Sequence, residues 1–430
     1  MNKLLAHSSS FRSNFRHSLR HRLRRLRELM IDFLLILLAI LAMTSSSQAA
    51  PQQPSIPHLP ASHDTVIASL SDSVVELAGQ VRASALQESR TGLESNPNIL
   101  FQQLLSSYEV ARRDNNPRAY GHTLGLLQQW PEQVELPGIA RLIKAAVLQH
   151  NHQFDEALEE LALILGSAPH NLQARQMQAQ IHLTTGDYER AADDCAQFEA
   201  RAMAFAAINC QTQLAGLTGE STSVLETLQS LLAENDIDSA ARLELLITAA
   251  DNARRLNRAT ETIAYYEQVL ALAPGNHYAL VNYCEWLLEQ GRYSEVVTLL
   301  SERVAEQNDT ELSILYARAL QSSSAQRELS RLRDEIDDTV AAMRRRGEDR
   351  PHKLIAQHAL FLAEEFELAT HEALANWQEQ REPSDLKLLA LAAIASGDQE
   401  ALALVRDWLQ STGLQDQGIS MAMVNAGVQL

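Results

Sequence analysis

The sequence predicts an all-α fold in which antiparallel helix pairs stack into a superhelical solenoid. Its clearest feature is one pattern that occurs twice within residues 139–198. Ala145 recurs as Ala179, and Ala157 recurs as Ala191, each 34 residues later. A fixed period of this size with helical spacing is typical of solenoids built from helix pairs. Composition agrees, since only 5% of the residues are aromatic and only 16 are glycine, a mixture that favours helix over sheet.

The charge of the 430-residue chain is unevenly distributed. Residues 1–50 hold eight basic and two acidic residues, a net of +6, so the rest carries −24 of the total of −18. An acidic body repels phosphate groups, which argues against a nucleic-acid partner and favours a protein partner.

The N-terminal 50 residues have the three parts of a secretory signal. A basic segment precedes an apolar run over residues 33–43, and small residues end at Ala49 and Ala50. Three outcomes stay open: cleavage with export to the periplasm, retention as an inner-membrane anchor with the body outside the cytoplasm, or neither. In the second case residues 31–43 provide the membrane association. Residues 51–63 read as a proline-rich linker.

Residues 64–98 contain apolar positions at heptad spacing, beginning with Ile67 and Leu70. The run lasts barely two heptads, so we expect a helix that caps the solenoid, with a short oligomerising coil as the alternative.

Four blocks share a common register, with position 1 at Gly138, Leu172, Leu243 and His277. Position 8 is small in each block, position 20 is small or β-branched, and position 15 is Gly, Asn or His at the turn between the two helices. The segments that carry the pattern are residues 186–192 (GDYERAA), 264–276 (AYYEQVLALAPGN) and 291–297 (GRYSEVV). They resemble the tetratricopeptide repeat (TPR). The resemblance implies a right-handed superhelix that binds proteins rather than a catalyst.

The repeats extend over residues 99–308, with one degraded unit between residues 206 and 242. Residues 309–410 predict further, degenerate helical hairpins, and residues 411–430 predict a loose tail. In total the sequence predicts eight or nine hairpins.

In a stacked array of this kind, the first helix of each pair lines the concave groove. The predicted partner-binding residues are therefore those of the first helices that face the groove: Gln176, Gln180, Asp251, Arg254, Arg255, Tyr278, Glu285 and Glu289. The family's clamp for a peptide carboxylate needs a basic residue at position 5 and Asn at position 9. Because those positions hold pairs such as Gln176 and Gln180, the chain departs from that clamp.

Catalytic and metal-binding motifs are absent from the sequence. No HExxH, GxSxG, glycine-rich phosphate loop or CxxC occurs, so we predict no enzyme activity, cofactor or metal. Cys195 and Cys210 fall on neighbouring helices of the predicted array. They form either a disulfide, if the body is exported, or two buried thiols.

The sequence thus predicts a non-enzymatic scaffold or adaptor of the bacterial cell envelope that binds a partner segment in its groove. One alternative is a membrane-anchored component of an envelope assembly or a polysaccharide secretion machine. Another is an enzyme whose site forms in the C-terminal half.

Overall fold

A computed structural model describes residues 97–113, 117–200, 204–233, 237–306, 309–345 and 351–428. Within these ranges the chain forms nineteen α-helices and one π-helical segment, and no β-strand occurs. The all-α prediction is confirmed for this part of the chain. The predicted signal, the linker and most of the capping helix lie outside the described residues.

The helices follow one another with short connections. Their bounds are α1 Pro97–Arg113, α2 Pro117–Gln128, α3 Gly138–His150, α4 Phe154–Ser167, α5 Leu172–Thr184, α6 Tyr188–Ala200, α7 Ala204–Leu217, α8 Ser221–Leu232, α9 Ser239–Arg255, α10 Ala259–Leu272, α11 His277–Glu289, α12 Tyr293–Glu306, α13 Thr310–Leu320, α14 Gln326–Arg344, α15 His352–His358, α16 Phe366–Glu379, α17 Pro383–Ser396, α18 Gln399–Thr412 and α19 Gln417–Asn425. The π-helical segment Ala359–Ala363 continues α15.

These helices form two layers. Each odd-numbered helix packs on the even-numbered helix that follows it, which gives nine hairpins, and α19 stands alone at the end. Each odd-numbered helix also contacts the next odd-numbered one, from α1 through to α19. Consecutive hairpins therefore stack in register, as in a helical-repeat protein. The right-handed sense of the superhelix stays a prediction.

The small residues of the repeat lie at the helix–helix contacts. Ala145, Ala157 and Ala191 are fully buried, and Ala179 is 3% exposed. A larger side chain at any of them would overpack the interface between the two helices of a pair.

The turn position also behaves as its residue types predict. His152, Gly186, Asn257 and Gly291 all have positive φ, between 52° and 75°. Glycine and asparagine adopt this left-handed conformation most readily, so the sequence places them where the chain reverses between two helices.

The C-terminal end corrects the expectation of a loose tail. Residues 417–425 form α19, which begins where the Asp416 carboxylate accepts a hydrogen bond from the Ile419 amide at 3.0 Å. Ile419 and Met423 are fully buried against α17. The helix is short, and its only local signal is the capping aspartate.

None of the helices in the described ranges is long and apolar enough to cross a membrane. The apolar run of residues 31–43 lies outside these ranges.

Candidate functional site on the inner surface

The inner surface is the face of the odd-numbered helices that looks toward the C-terminal hairpins. The chain closes on itself here, because the connection between α16 and α17 meets the end of α5. The Arg381 amide donates a hydrogen bond to the Thr184 carbonyl at 2.7 Å, and the Thr184 hydroxyl donates to the Glu382 carboxylate at 3.4 Å. We call this junction, together with Gly186 and Trp408, the closing contact.

Trp408 of α18 supplies most of the apolar part of the closing contact. Its ring lies so close to Gly186 that a Cβ on that glycine would come within 2.7 Å of it. The ring also packs against Tyr188 and, edge to face, against Trp377, with centroids 5.9 and 5.1 Å away. The Arg381 guanidinium lies 5.6 Å from its centroid. Gly186 is thus required both for its positive φ and for this close approach.

A cavity of about 320 Å³ lies beneath the closing contact. Residues from α1, α3, α5, α7, α9 and α11 line it in succession, and residues 380, 382 and 383 form the opposite wall. The cavity therefore follows the inner surface across several repeats. Its lining changes in character along that path, from aromatic through amide to charged.

The aromatic end lies between the first two hairpins. The rings of Tyr120 and His150 stack with centroids 3.6 Å apart, and Phe154 lies beside them on the wall. Burial, followed by repulsion from His152 and His277, lowers the pKa of His150 to about 4. His150 is therefore a neutral, flat ring at physiological pH.

The middle of the cavity carries one glutamine from each of three consecutive inner helices, Gln149 of α3, Gln180 of α5 and Gln213 of α7. Gln180 donates a long hydrogen bond of 3.4 Å to the Thr184 hydroxyl. Within the described part of the chain, the amides of Gln149 and Gln213 have no hydrogen-bond partner. These groups are free to bond to something that enters the cavity.

The charged end is formed by α9 and α11. The Tyr266 and Tyr278 hydroxyls each donate a 2.8 Å hydrogen bond to Asp251, one to each carboxylate oxygen. Burial, reinforced by this carboxylate, raises the pKa of both phenols, so they remain donors. Arg255 lies beside them, 5% exposed, and donates from Nη2 to the Asn252 side chain at 2.9 Å.

A different pattern holds farther along the inner surface, where α11, α15 and α17 meet. Here cations are matched by anions. Lys387 pairs with Glu289 at 2.6 Å, Lys353 with Asp385 at 3.1 Å, and Arg254 with Glu285 at 4.0 Å.

The pKa values of this region follow from the pairing. Burial alone would lower the pKa of the Lys353 ammonium, but Asp385 and neighbouring carboxylates outweigh it, and the net shift is upward. Arg254 behaves in the same way through Tyr266, Asp251 and Glu289. Both side chains therefore stay charged inside the protein.

The structure brings seven of the eight predicted groove residues to the inner surface, in different states. Gln180, Asp251, Arg255 and Tyr278 line the cavity, while Arg254, Glu285 and Glu289 take part in ion pairs. Gln176 lies outside the cavity lining, and its side-chain oxygen is buried without a partner. That these residues bind a partner stays a prediction.

Sequence reasoning missed several residues of the cavity lining, among them Gln213 and residues 380, 382 and 383. Gln213 lies in the degraded repeat, where the register was lost, and residues 380–383 are about 200 positions away from the helices that they cover. Only the Pro383 helix start marks that second segment in the sequence.

Cys195 of α6 and Cys210 of α7 are joined in a disulfide, with Cα atoms 5.4 Å apart. The bridge links the second helix of one hairpin to the first helix of the next. Cys284 is a buried free thiol at position 8 of α11, and burial raises its pKa to about 12. It is therefore a packing residue rather than a nucleophile.

Comparison with known proteins supports a TPR-type protein. Residues 253–322 match the family described as tetratricopeptide repeat. This stretch runs from the end of α9 beyond α13 and includes two of the three segments that carry the sequence resemblance. A search of curated proteins found no match. The family match and the stacked hairpins together identify the chain as similar to TPR proteins, which generally mediate protein–protein interaction.

Proposed function

We propose that this protein is a non-enzymatic scaffold of a bacterial cell envelope that binds a segment of a protein partner along its inner surface. The observation that carries the proposal is the amide row of Gln149, Gln180 and Gln213, one residue per inner helix. Amide side chains spaced along a groove can bond to the main chain of an extended segment, whose N–H and C=O groups recur regularly.

The closing contact determines how such a segment gains access. The cavity is too small for a folded partner, and residues 380–383 cover part of the amide row. A segment of several residues therefore requires the contact between Thr184 and Arg381 to open. Because only open molecules can bind the segment, the apparent affinity equals the intrinsic affinity multiplied by the fraction of molecules that are open.

Site-specific photocrosslinking in the native cell tests the site. A photoreactive residue at position 180 or 213 should capture a protein partner, and the same residue at position 268 should not. Gln268 is the matched control, because it lies on the outer helix α10 and is exposed. Trp408→Ala should raise the yield at 180 and 213, since it weakens the closing contact. Equal capture from all three positions would place the partner elsewhere.

Envelope location rests on two features of the chain, the signal-like residues 1–50 and the Cys195–Cys210 bridge, which persists in oxidising compartments. We expect the protein in the periplasmic fraction, with both cysteines resistant to a thiol-reactive label until a reductant is added. Retention by membranes after a high-salt wash would favour the anchored alternative. Labelling of both cysteines without a reductant would argue against export.

A further inference from the structure

Arg255 at the end of α9 is a buried cation whose anion is not supplied by the described part of the chain. Among the described residues, its side chain has one hydrogen bond, to the Asn252 side chain, and its Nε atom is buried without a partner. No carboxylate oxygen in the described ranges lies within 4.0 Å of its guanidinium. The side chain is 5% exposed and lines the cavity.

A buried guanidinium without an anion is costly, because burial removes the hydration of the charge and nothing replaces it. The neighbouring inner-surface cations avoid this cost through ion pairs: Arg254 with Glu285, Lys353 with Asp385, and Lys387 with Glu289. Arg255 is one residue from Arg254. The Nε of each is buried without a partner, but only Arg254 has a carboxylate within 4.0 Å in the described part of the chain.

The two carboxylates of the cavity wall have other hydrogen-bond partners, and neither forms an ion pair with Arg255. Both oxygens of Asp251 accept hydrogen bonds from tyrosine hydroxyls. Glu382 accepts from the Gln380 amide at 3.0 Å and from the Thr184 hydroxyl at 3.4 Å. Burial, followed by the charge of Asp385, raises the pKa of Glu382, which weakens it further as a counter-ion. The described part of the chain therefore supplies no anion to Arg255, which leaves its guanidinium available to a ligand in the cavity that it lines.

We propose that the cavity binds a small organic monocarboxylate, with its carboxylate on the free edge of Arg255. A planar guanidinium presents two parallel N–H donors that match the two oxygens of a carboxylate. Asp251 and Glu382, on opposite walls of the cavity, disfavour a doubly charged anion such as phosphate, because they repel it more strongly than a singly charged one.

The other residues that line the cavity indicate which groups the rest of this ligand carries. The unpartnered amides of Gln149 and Gln213 bond to an amide or hydroxyl group, and the Tyr120–His150 stack accepts a flat or apolar part. A volume of about 320 Å³ is at the small end of the range for ligand pockets. An acylated amino acid has all of these parts.

This small-ligand site does not depend on the partner proposed above. The ligand occupies the cavity while the closing contact is intact, whereas a partner segment needs that contact open. A bound monocarboxylate would therefore stabilise the closed form and oppose partner binding.

Isothermal titration calorimetry on the full chain with four probes tests the site. The probes are N-acetylglycinate and N-benzoylglycinate, the neutral N-acetylglycinamide, and inorganic phosphate. We expect both carboxylates to bind, with the benzoyl compound the tighter, and the neutral amide and phosphate to bind at least about tenfold more weakly. Failure of both carboxylates to bind, or equal binding of the neutral amide, would overturn the proposal.

Two variants assign the binding to Arg255. Arg255→Met should weaken N-benzoylglycinate binding by about tenfold or more, and Arg258→Met should leave it unchanged. Arg258 is the matched control, because it is a nearby arginine outside the cavity lining. If Arg255→Met does not fold, Arg255→Lys keeps the charge but loses the planar fork, and it should still weaken binding. Unchanged affinity in the folded variant would overturn the proposal.

The unliganded protein provides an independent readout. If Arg255 is present for a ligand, Arg255→Met should melt at the same temperature as the parent chain or higher, because it removes an unpaired buried charge. A lower melting temperature, together with unchanged ligand affinity, would make Arg255 a packing residue and would overturn the proposal. Neither outcome bears on partner crosslinking at positions 180 and 213.

Discussion

The inner surface has two regions that use polar residues in opposite ways. In the N-terminal region, on α3, α5 and α7, glutamine amides face a cavity and leave hydrogen-bonding capacity unused. In the C-terminal region, on α11, α15 and α17, lysines and carboxylates are paired at 2.6 to 3.1 Å. The architecture is the same in both regions. The difference teaches that a polar residue on the concave side of a repeat protein either leaves hydrogen-bonding groups exposed to a cavity or holds distant repeats together, and only its partners distinguish the two.

The largest expected loss of stability comes from removing an ion pair in the C-terminal region. Lys353→Met leaves the fully buried carboxylate of Asp385 without its cation, so we expect a loss of about 3–5 kcal/mol in the free energy of unfolding. Urea denaturation measures it. Arg331→Met is the control, because the Arg331–Glu335 pair is exposed and its loss should cost less than about 1 kcal/mol. Equal losses of unfolding free energy in the two variants would show that the buried ion pairs of the C-terminal region do not stabilise the fold more than an exposed pair does.

The N-terminal region is instead cross-linked covalently. Replacing Cys195 and Cys210 together by alanine should lower the free energy of unfolding by about 3 kcal/mol, since the bridge closes a loop with a sequence separation of 15. Thermal melting with and without a reductant measures it. The reductant should destabilise the parent chain and leave the double variant unaffected. A parent chain insensitive to reductant would show that the bridge adds no stability.

Acid should weaken the N-terminal region through His150. Its pKa is about 4 in the folded chain and about 6.5 when unfolded, so only the unfolded state takes up a proton between these values. The shifted pKa of His150 therefore has no effect on stability well above pH 6.5, and it lowers the free energy of unfolding progressively as the pH falls toward 4.

Urea denaturation of His150→Phe tests this effect. Between pH 6.5 and 4.5 the variant should lose about 2 kcal/mol less stability than the parent chain. Parallel pH profiles for the two proteins would contradict the pKa shift of His150.

The helix–helix packing common to both regions predicts a moderate effect. Ala179→Leu and Ala191→Leu should each cost about 1–3 kcal/mol, because both alanines are buried and leucine adds three carbon atoms at a packed helix contact. Melting curves of both variants measure it. Unchanged melting in both would show that the repeat register is misplaced.

The smallest expected change in stability is at a glutamine of the N-terminal region. Gln213→Leu removes an amide that has no partner in the described part of the chain, so stability should change by less than about 0.5 kcal/mol. Denaturation side by side with Lys353→Met measures the contrast. A loss above about 1 kcal/mol would mean that the amide bonds within the protein.

Much of the fold is legible in the sequence because its signals are local. The small residues at Ala145, Ala157, Ala179 and Ala191 mark the helix contacts, and positive φ falls at the turn positions where Gly and Asn recur. Asn171 and Asn276 begin equivalent helices in two repeats, each accepting a hydrogen bond from the amide three residues later, of Ala174 and Ala279. Each of these features depends on neighbours within about one period.

The candidate site was only partly predictable. The repeat register predicts which residues face the groove. It does not predict that Arg254 forms an ion pair while Arg255 does not, since the two are neighbours on one helix. It also could not find Gln213, because its repeat has lost the pattern.

The sequence by itself determined the helical hairpins, their stacking period and the face that looks inward. Tertiary structure alone decided which distant residues that face contacts. Thr184 and Glu382 are 198 residues apart, and the pairs formed by Lys353, Lys387 and Arg254 depend on how far the array curves. Curvature accumulates from small rotations between successive hairpins, so no single repeat encodes where the chain closes on itself.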